Sequence, residues 1–154
     1  MRVSIGQDSH RFDPSDPQKP LLLGGVPFTD APALSANSDG DVVLHALTNA
    51  VSGITGVNIL GGPADELCRA GITDSREYLR LALESLDGEI LHVSFSIECL
   101  TPRITPQIPQ MRRSIAALLG IPESAVGVTA TSGEGLTACG RGEGISVFCC
   151  LTVR

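Results

Sequence analysis

A chain of 154 residues with 42% hydrophobic content, 3% aromatics and a slightly positive mean hydropathy holds enough apolar material for one domain with an aliphatic core, and little room for two. Its net charge of -6 excludes the basic surface that non-specific nucleic-acid binding requires, and no apolar stretch is long enough to span a bilayer. The amino end has no apolar leader run, and the five cysteines lack Cys-x-x-Cys spacing, so a soluble, cytoplasmic protein with reduced thiols is expected.

In chain order, Arg2 to His10 reads as a strand with Val3, Ile5 and Gln7 on one side and Ser4, Gly6, Asp8 and His10 on the other. A Pro-interrupted loop follows, then Leu21 to Val26 as a short buried strand ended by glycine. Between Asp41 and Ile54 the apolar residues Val43, Leu47, Ala50, Val51 and Ile54 recur at helical spacing, with Asp41, His45 and Asn49 on a separate polar stripe. The stretch from Gly53 to Gly71 is rich in Gly and Pro and carries no clear period. Asp74 followed by Glu77 forms a capping-box pattern opening a helix through Leu86 that stops near Gly88.

Leu91 to Cys99 alternates as a half-buried strand, with His92 a solvated residue on its polar side. Thr105-Pro106 starts a third helix, which shows Met111, Ile115, Leu118 and Leu119 on one face before Gly120. Strands over Val126 to Thr131 and Ile145 to Val153 complete the chain. The expected fold is a single α+β domain over 1–154, with helices packed on one face of a mixed β-sheet. The other sheet face remains apolar at alternate positions, and self-association would cover it.

Asp8 and His10 share a strand face, and His45 can reach across to them from its helix. A carboxylate and two neutral imidazoles leave a tetrahedral Zn2+ one open position, the arrangement of a catalytic site. Ordinary surface or capping roles also account for an isolated Asp-x-His, so this set gains weight only from its context.

That context is a set of motifs in order: Asp8-Ser9-His10, Asn37-Ser38-Asp39-Gly40-Asp41 leading to His45, Pro106 to Arg112, and Glu134 ahead of Gly140-Arg141-Gly142-Glu143-Gly144. Together they resemble 2-C-methyl-D-erythritol 2,4-cyclodiphosphate synthases over nearly the whole chain. The resemblance implies a homotrimer whose sheets meet around its axis and whose active sites lie between subunits. It implies a place in the non-mevalonate route to isoprenoid precursors. The reaction implied is cyclisation of 4-diphosphocytidyl-2-C-methyl-D-erythritol 2-phosphate with loss of CMP, a phosphorus-oxygen lyase activity. It further implies Zn2+, or another divalent metal, on Asp8, His10 and His45, and Mg2+ or Mn2+ bridging the substrate phosphates through Glu134.

Carried over residue by residue, the cytidine pocket falls on Cys99, Leu100, Thr101, Pro102, Arg103, Ile104 and Thr105, and on Thr131, Ser132 and Gly133. Further substrate contacts fall on Asp8, Ser9, His10, Asn37, Ser38, Ile59, Gly61, Glu134 and Arg141, the last near the trimer axis, where the family can also bind an isoprenoid diphosphate. Catalytic positions fall on Asn37, Ser132 and Glu134. For Gly140 to Gly144, a tight strand entry explains the glycines as well as ligand contact does.

The chain also departs from the family pattern. Asn37 stands for a histidine, Ser132 for a threonine, Arg103 for a lysine, Ile59 and Asn49 for aspartates and Ala138 for a phenylalanine. The loop at Pro63-Ala64-Asp65 is about one residue short. Asn37 keeps hydrogen-bonding capacity without the charge of an imidazolium. The alternative expectation is therefore a catalytically impaired trimer that binds cytidine nucleotides or isoprenoid diphosphates on the same scaffold.

Overall fold

The computed structural model describes residues 1–154. Strand β1 (Arg2–Arg11) leads to a hairpin of β2 (Leu21–Leu23) and β3 (Val26–Phe28). Three helices follow: α1 (Val42–Thr55), α2 (Gly62–Arg69) and α3 (Ser75–Leu83). Strand β4 (Ile90–Glu98), helix α4 (Ile108–Leu119), β5 (Val126–Thr131) and β6 (Gly144–Val153) complete the chain. The main sheet has the order β1-β6-β4-β5, antiparallel except for the parallel β4–β5 pair, so it is mixed, as the α+β expectation requires.

Alternation decides which side of the sheet is covered. Ile145, Val147, Cys149, Leu151 and Val153 of β6 and Val93, Phe95 and Ile97 of β4 join the core beneath α1. Glycine lets β1 lie directly on that helix: a Cβ added to Gly6 would sit 2.0 Å from the Ala46 carbonyl and 2.4 Å from the Ala50 nitrogen. At the head of β6, a Cβ on Gly144 would meet the His10 carbonyl at 2.2 Å, so the strand-entry reading of this glycine holds. On the opposite face, Val3, Ile5 and Phe148 are 61%, 70% and 54% exposed.

Helix α1 starts at Asp41, whose carboxylate accepts from the Leu44 N–H at 3.0 Å. The same carboxylate accepts from Gly24 and Gly25 at 2.8 and 2.7 Å and so ties the hairpin to the helix. Here the sequence reading needs correction: Gly24-Gly25 is a turn within a hairpin rather than the end of one strand. The polar stripe of α1 is also buried, because Asp41 and His45 face packed structure rather than solvent.

Three further differences have local causes. The Gly53–Gly71 stretch contains α2, which begins with Pro63 in its first turn. Helix α3 ends at Leu83, short of Leu86. Its expected capping box does not form: Asp74 accepts from Arg76, while Glu77 pairs with Arg80 at 3.0 Å. Helix α4 matches its expected apolar face, with Met111 and Ile115 fully buried. Arg112 fastens that helix to the sheet by donating to the Val126 and Glu123 carbonyls, each at 2.8 Å.

Candidate metal centre and nucleotide cleft

Asp8 and His10 point from β1 toward α1 because they share the face of Gly6, and His45 lies one turn into α1. The three side chains meet. Asp8 Oδ2 lies 3.0 Å from His10 Nε2 and 3.1 Å from His45 Nδ1, and the two nitrogens are 3.3 Å apart. Donor atoms bonded to a tetrahedral zinc at about 2.0–2.1 Å lie about 3.3 Å from one another, so the triangle has the dimensions of three zinc ligands. No other group of three or more His, Cys, Asp or Glu side chains has ligand atoms this close together.

The far side of each imidazole is engaged. His10 Nδ1 is 2.8 Å from the Ser35 carbonyl, which accepts a proton carried there and so suits a neutral ring whose Nε2 lone pair faces the triad. Lys19 supports that loop by donating to the Leu34 and Ala36 carbonyls at 3.0 and 3.1 Å. His45 is 6% exposed, and its Nε2 faces Ser75 of α3 at 2.8 Å. Burial raises the Asp8 carboxyl, but hydrogen bonds and the charges of His10 and His45 outweigh it and hold the group well below the usual carboxylate range. The hydrogen bond to Asp8 raises the His10 pKa, against the opposing effect of burial.

The triad opens into a cleft of about 350 Å³. Asp8, His10, Asn37, Ser38, His45 and Gly61 line it, as the sequence led us to expect. Two other residues do not. Ser9 alternates to the opposite side of β1, and Ile59 is 4% exposed and packs in the core, so neither side chain faces the cleft. The wall beyond Gly61 is formed by Ala64, Asp65 and Cys68 of α2 with Tyr78 of α3. Sequence reasoning missed the three α2 residues because it assigned no helix to that segment, where the proline within its first turn was the available signal; Tyr78 lay in an expected helix but on its apolar face.

A second cleft, of about 360 Å³, lies beside the ends of β4 and β5. Its lining includes Cys99, Leu100, Pro102, Arg103, Ile104, Thr105, Thr131 and Ser132. Thr101 and Gly133 fall outside the lining. Ser132 donates to Glu134 Oε1 at 3.4 Å, next to the cleft. Glu134 is the single non-glycine residue with a left-handed backbone, at φ 52°. Arg141 is exposed, outside both clefts, and pairs with Glu143 at 3.6 Å.

The two clefts belong to opposite edges of the sheet. Register aligns Asp8 with Val147, Val147 with Ile97 and Ile97 with Ala130, so the carboxyl ends of β1 and β5 are level. Three inter-strand steps of about 4.8 Å place those edges about 14 Å apart.

This fold and donor set define an α+β protein with a candidate metal site at one end of a mixed sheet. The chain belongs to the YgbB family, whose model matches residues 1–154. It is 52% identical to the 2-C-methyl-D-erythritol 2,4-cyclodiphosphate synthase of Chlamydia trachomatis serovar A, over 99% of this chain and 87% of that protein. Among solved structures, it is similar to a 2C-methyl-D-erythritol-2,4-cyclodiphosphate synthase at 27% identity, with a TM-score of 0.87 and coverage of 99% of this chain and 100% of the other. It is also similar to Plasmodium falciparum IspF in complex with CDP, at 25% identity and a TM-score of 0.80, covering 97% of this chain and 93% of that one.

Proposed function

We propose that the protein converts 4-diphosphocytidyl-2-C-methyl-D-erythritol 2-phosphate into 2-C-methyl-D-erythritol 2,4-cyclodiphosphate and CMP, as a phosphorus-oxygen lyase of isoprenoid precursor synthesis in the cytoplasm. The observation that carries this reading is the Asp8, His10 and His45 triangle in a chain 52% identical to a relative named for the reaction. An oxygen of the 2-phosphate forms a bond to the β-phosphorus. The bond from that phosphorus to the bridging oxygen breaks, and CMP leaves with the electron pair.

The nucleophile is already anionic, so the residues chiefly bring two phosphates together rather than remove a proton. Bound at the triad, zinc would supply Lewis acidity to the β-phosphate. Asn37 and Ser38, on the wall of the same cleft, are placed to donate hydrogen bonds to phosphate oxygens. Glu134 is the carboxylate offered to a second ion, Mg2+ or Mn2+, and Ser132 orients it through their hydrogen bond. The second cleft takes the cytidine, with Arg103 as its cation.

A homotrimer supports this division of labour. One protomer holds its two clefts at opposite sheet edges, and a neighbouring copy would bring its β5 edge to the first copy's β1 edge. The exposed Val3, Ile5 and Phe148 face would be covered in such an assembly. The cyclisation reading is preferred to the binding-only alternative because relatives 50–53% identical to this chain are named for the reaction.

The test is CMP release from the cytidyl substrate with Zn2+ and Mg2+. Turnover by the wild type that falls by at least about a hundredfold in His45→Ala is the expected result. CDP binding without turnover would refute the proposal.

A further inference from the structure

His45 is held from behind by two residues that the reaction does not use. Its Nε2 lies 2.8 Å from Ser75 Oγ, and the Ser75 hydroxyl in turn donates a hydrogen bond to Asp39 Oδ1. Ser75 is fully buried at the first position of α3, while Asp39 precedes α1. The Asp39 carboxylate is fixed in place, because Oδ2 accepts the Ser75 N–H and Oδ1 the Asp41 N–H, both at 3.0 Å.

The proton assignments follow from donor and acceptor capacity. A carboxylate only accepts, so the Ser75 proton goes to Asp39. Ser75 Oγ then has only lone pairs to offer His45 and accepts a proton carried on Nε2, while the Asp8 carboxylate, also only an acceptor, competes for that proton at Nδ1, 3.1 Å away. Ser38 Oγ lies farther from the same nitrogen, at 3.4 Å, and already accepts from the Gly40 N–H. With the proton on Nε2, Nδ1 presents to the triad the lone pair that a metal requires.

We propose that Asp39 and Ser75 are positioning residues that draw the His45 proton to Nε2, against the pull of Asp8, and thereby raise the metal affinity of the triad. The two imidazoles are thus prepared differently. His10 is fixed by a backbone carbonyl that substitution cannot remove, whereas His45 depends on a side chain contributed by another helix. The proposal rests on reading the triad as a metal site. A ligand whose tautomer is already selected binds without the cost of reorganising, and removing such supporting partners weakens metal affinity by about 10–100-fold.

Two measurements test this. Long-range 1H–15N correlation of the metal-free imidazoles, at alkaline pH where free imidazole is uncharged, should show a larger Nε2–H share for His45 in wild type than in Ser75→Ala. Zinc competition against a chromophoric chelator should show Ser75→Ala weakened by about 10–100-fold, with Ser75→Thr, which keeps the hydroxyl, restoring most of the loss. Helix capping alone would not move the affinity, because Ser75→Ala keeps the backbone N–H bond to Asp39. An Nε2–H share that does not fall in Ser75→Ala, or unchanged zinc affinity in that folded variant, would overturn the proposal alone. A wild type that binds no zinc would overturn the metal site and this proposal together.

Discussion

Asp8 and His10 carry opposite pKa shifts, and their signs give the triad a pH signature. The lowered Asp8 carboxyl adds stability above the unfolded carboxylate value of about 4, and that stability is lost as pH falls toward the folded value. The raised His10 adds stability below the unfolded imidazole value of about 6.5, lost as pH rises through the folded value. The metal-free triad therefore stabilises the fold most between about pH 4 and 6.5. Zinc reverses the upper limb, because the imidazoles must be deprotonated to bind it. Thermal melts from about pH 6 to 8 should show the midpoint falling without metal and rising at fixed total zinc. Parallel slopes would contradict the account.

The same residues show what a sequence reveals at this scale. Strand alternation was enough to pair Asp8 with His10, and helical spacing to set His45 on its own stripe. Ser75 could not be recognised that way, since its role depends on a contact with a helix 30 positions earlier. Ile59 failed because a matching position in the chain does not determine whether a side chain turns toward the cleft or the core. Glu134 has a backbone that costs about 1–2 kcal/mol for a non-glycine residue, strain that no local pattern announced and that falls beside the second cleft.

Among the elements, α1 does most to place the site, and Asp41 fixes its start. Burial raises the Asp41 carboxyl to about 6, against the opposing pull of the Leu44, Gly25 and Gly24 N–H groups. Asp41→Ala leaves those three donors unpaired in or near the core, at roughly 1–3 kcal/mol for each one that water cannot reach. Urea unfolding should show a loss of about 3 kcal/mol or more, larger than the roughly 1 kcal/mol typical of a lost cap. A loss near the smaller figure would mean that the tie to the hairpin contributes little. Long apolar periods made α1, α4 and the four sheet strands legible in the sequence. The hairpin and α2 were hidden because their glycines and prolines punctuate short segments, where the same residues signal a turn, a helix start or a loop.

For the whole molecule, the sheet sets one limit: the Asp8, His10 and His45 triad and the second cleft are level with each other but belong to opposite edges. The face between them exposes Val3, Ile5 and Phe148, apolar side chains that a neighbouring copy would bury. Composition hinted at this face through its alternation, but the edge assignment required the strand order, which local pattern does not encode. The proposed sharing of the site between copies makes a direct demand on subunit mixing. His45→Ala removes the metal half and Glu134→Gln the other, and each variant alone should release almost no CMP. After subunit exchange of equal amounts, random assembly gives about a quarter of sites both halves intact, and CMP release should recover toward that fraction of wild type. Mixed trimers that form, as judged by mass, yet release no CMP would contradict a site built from two chains.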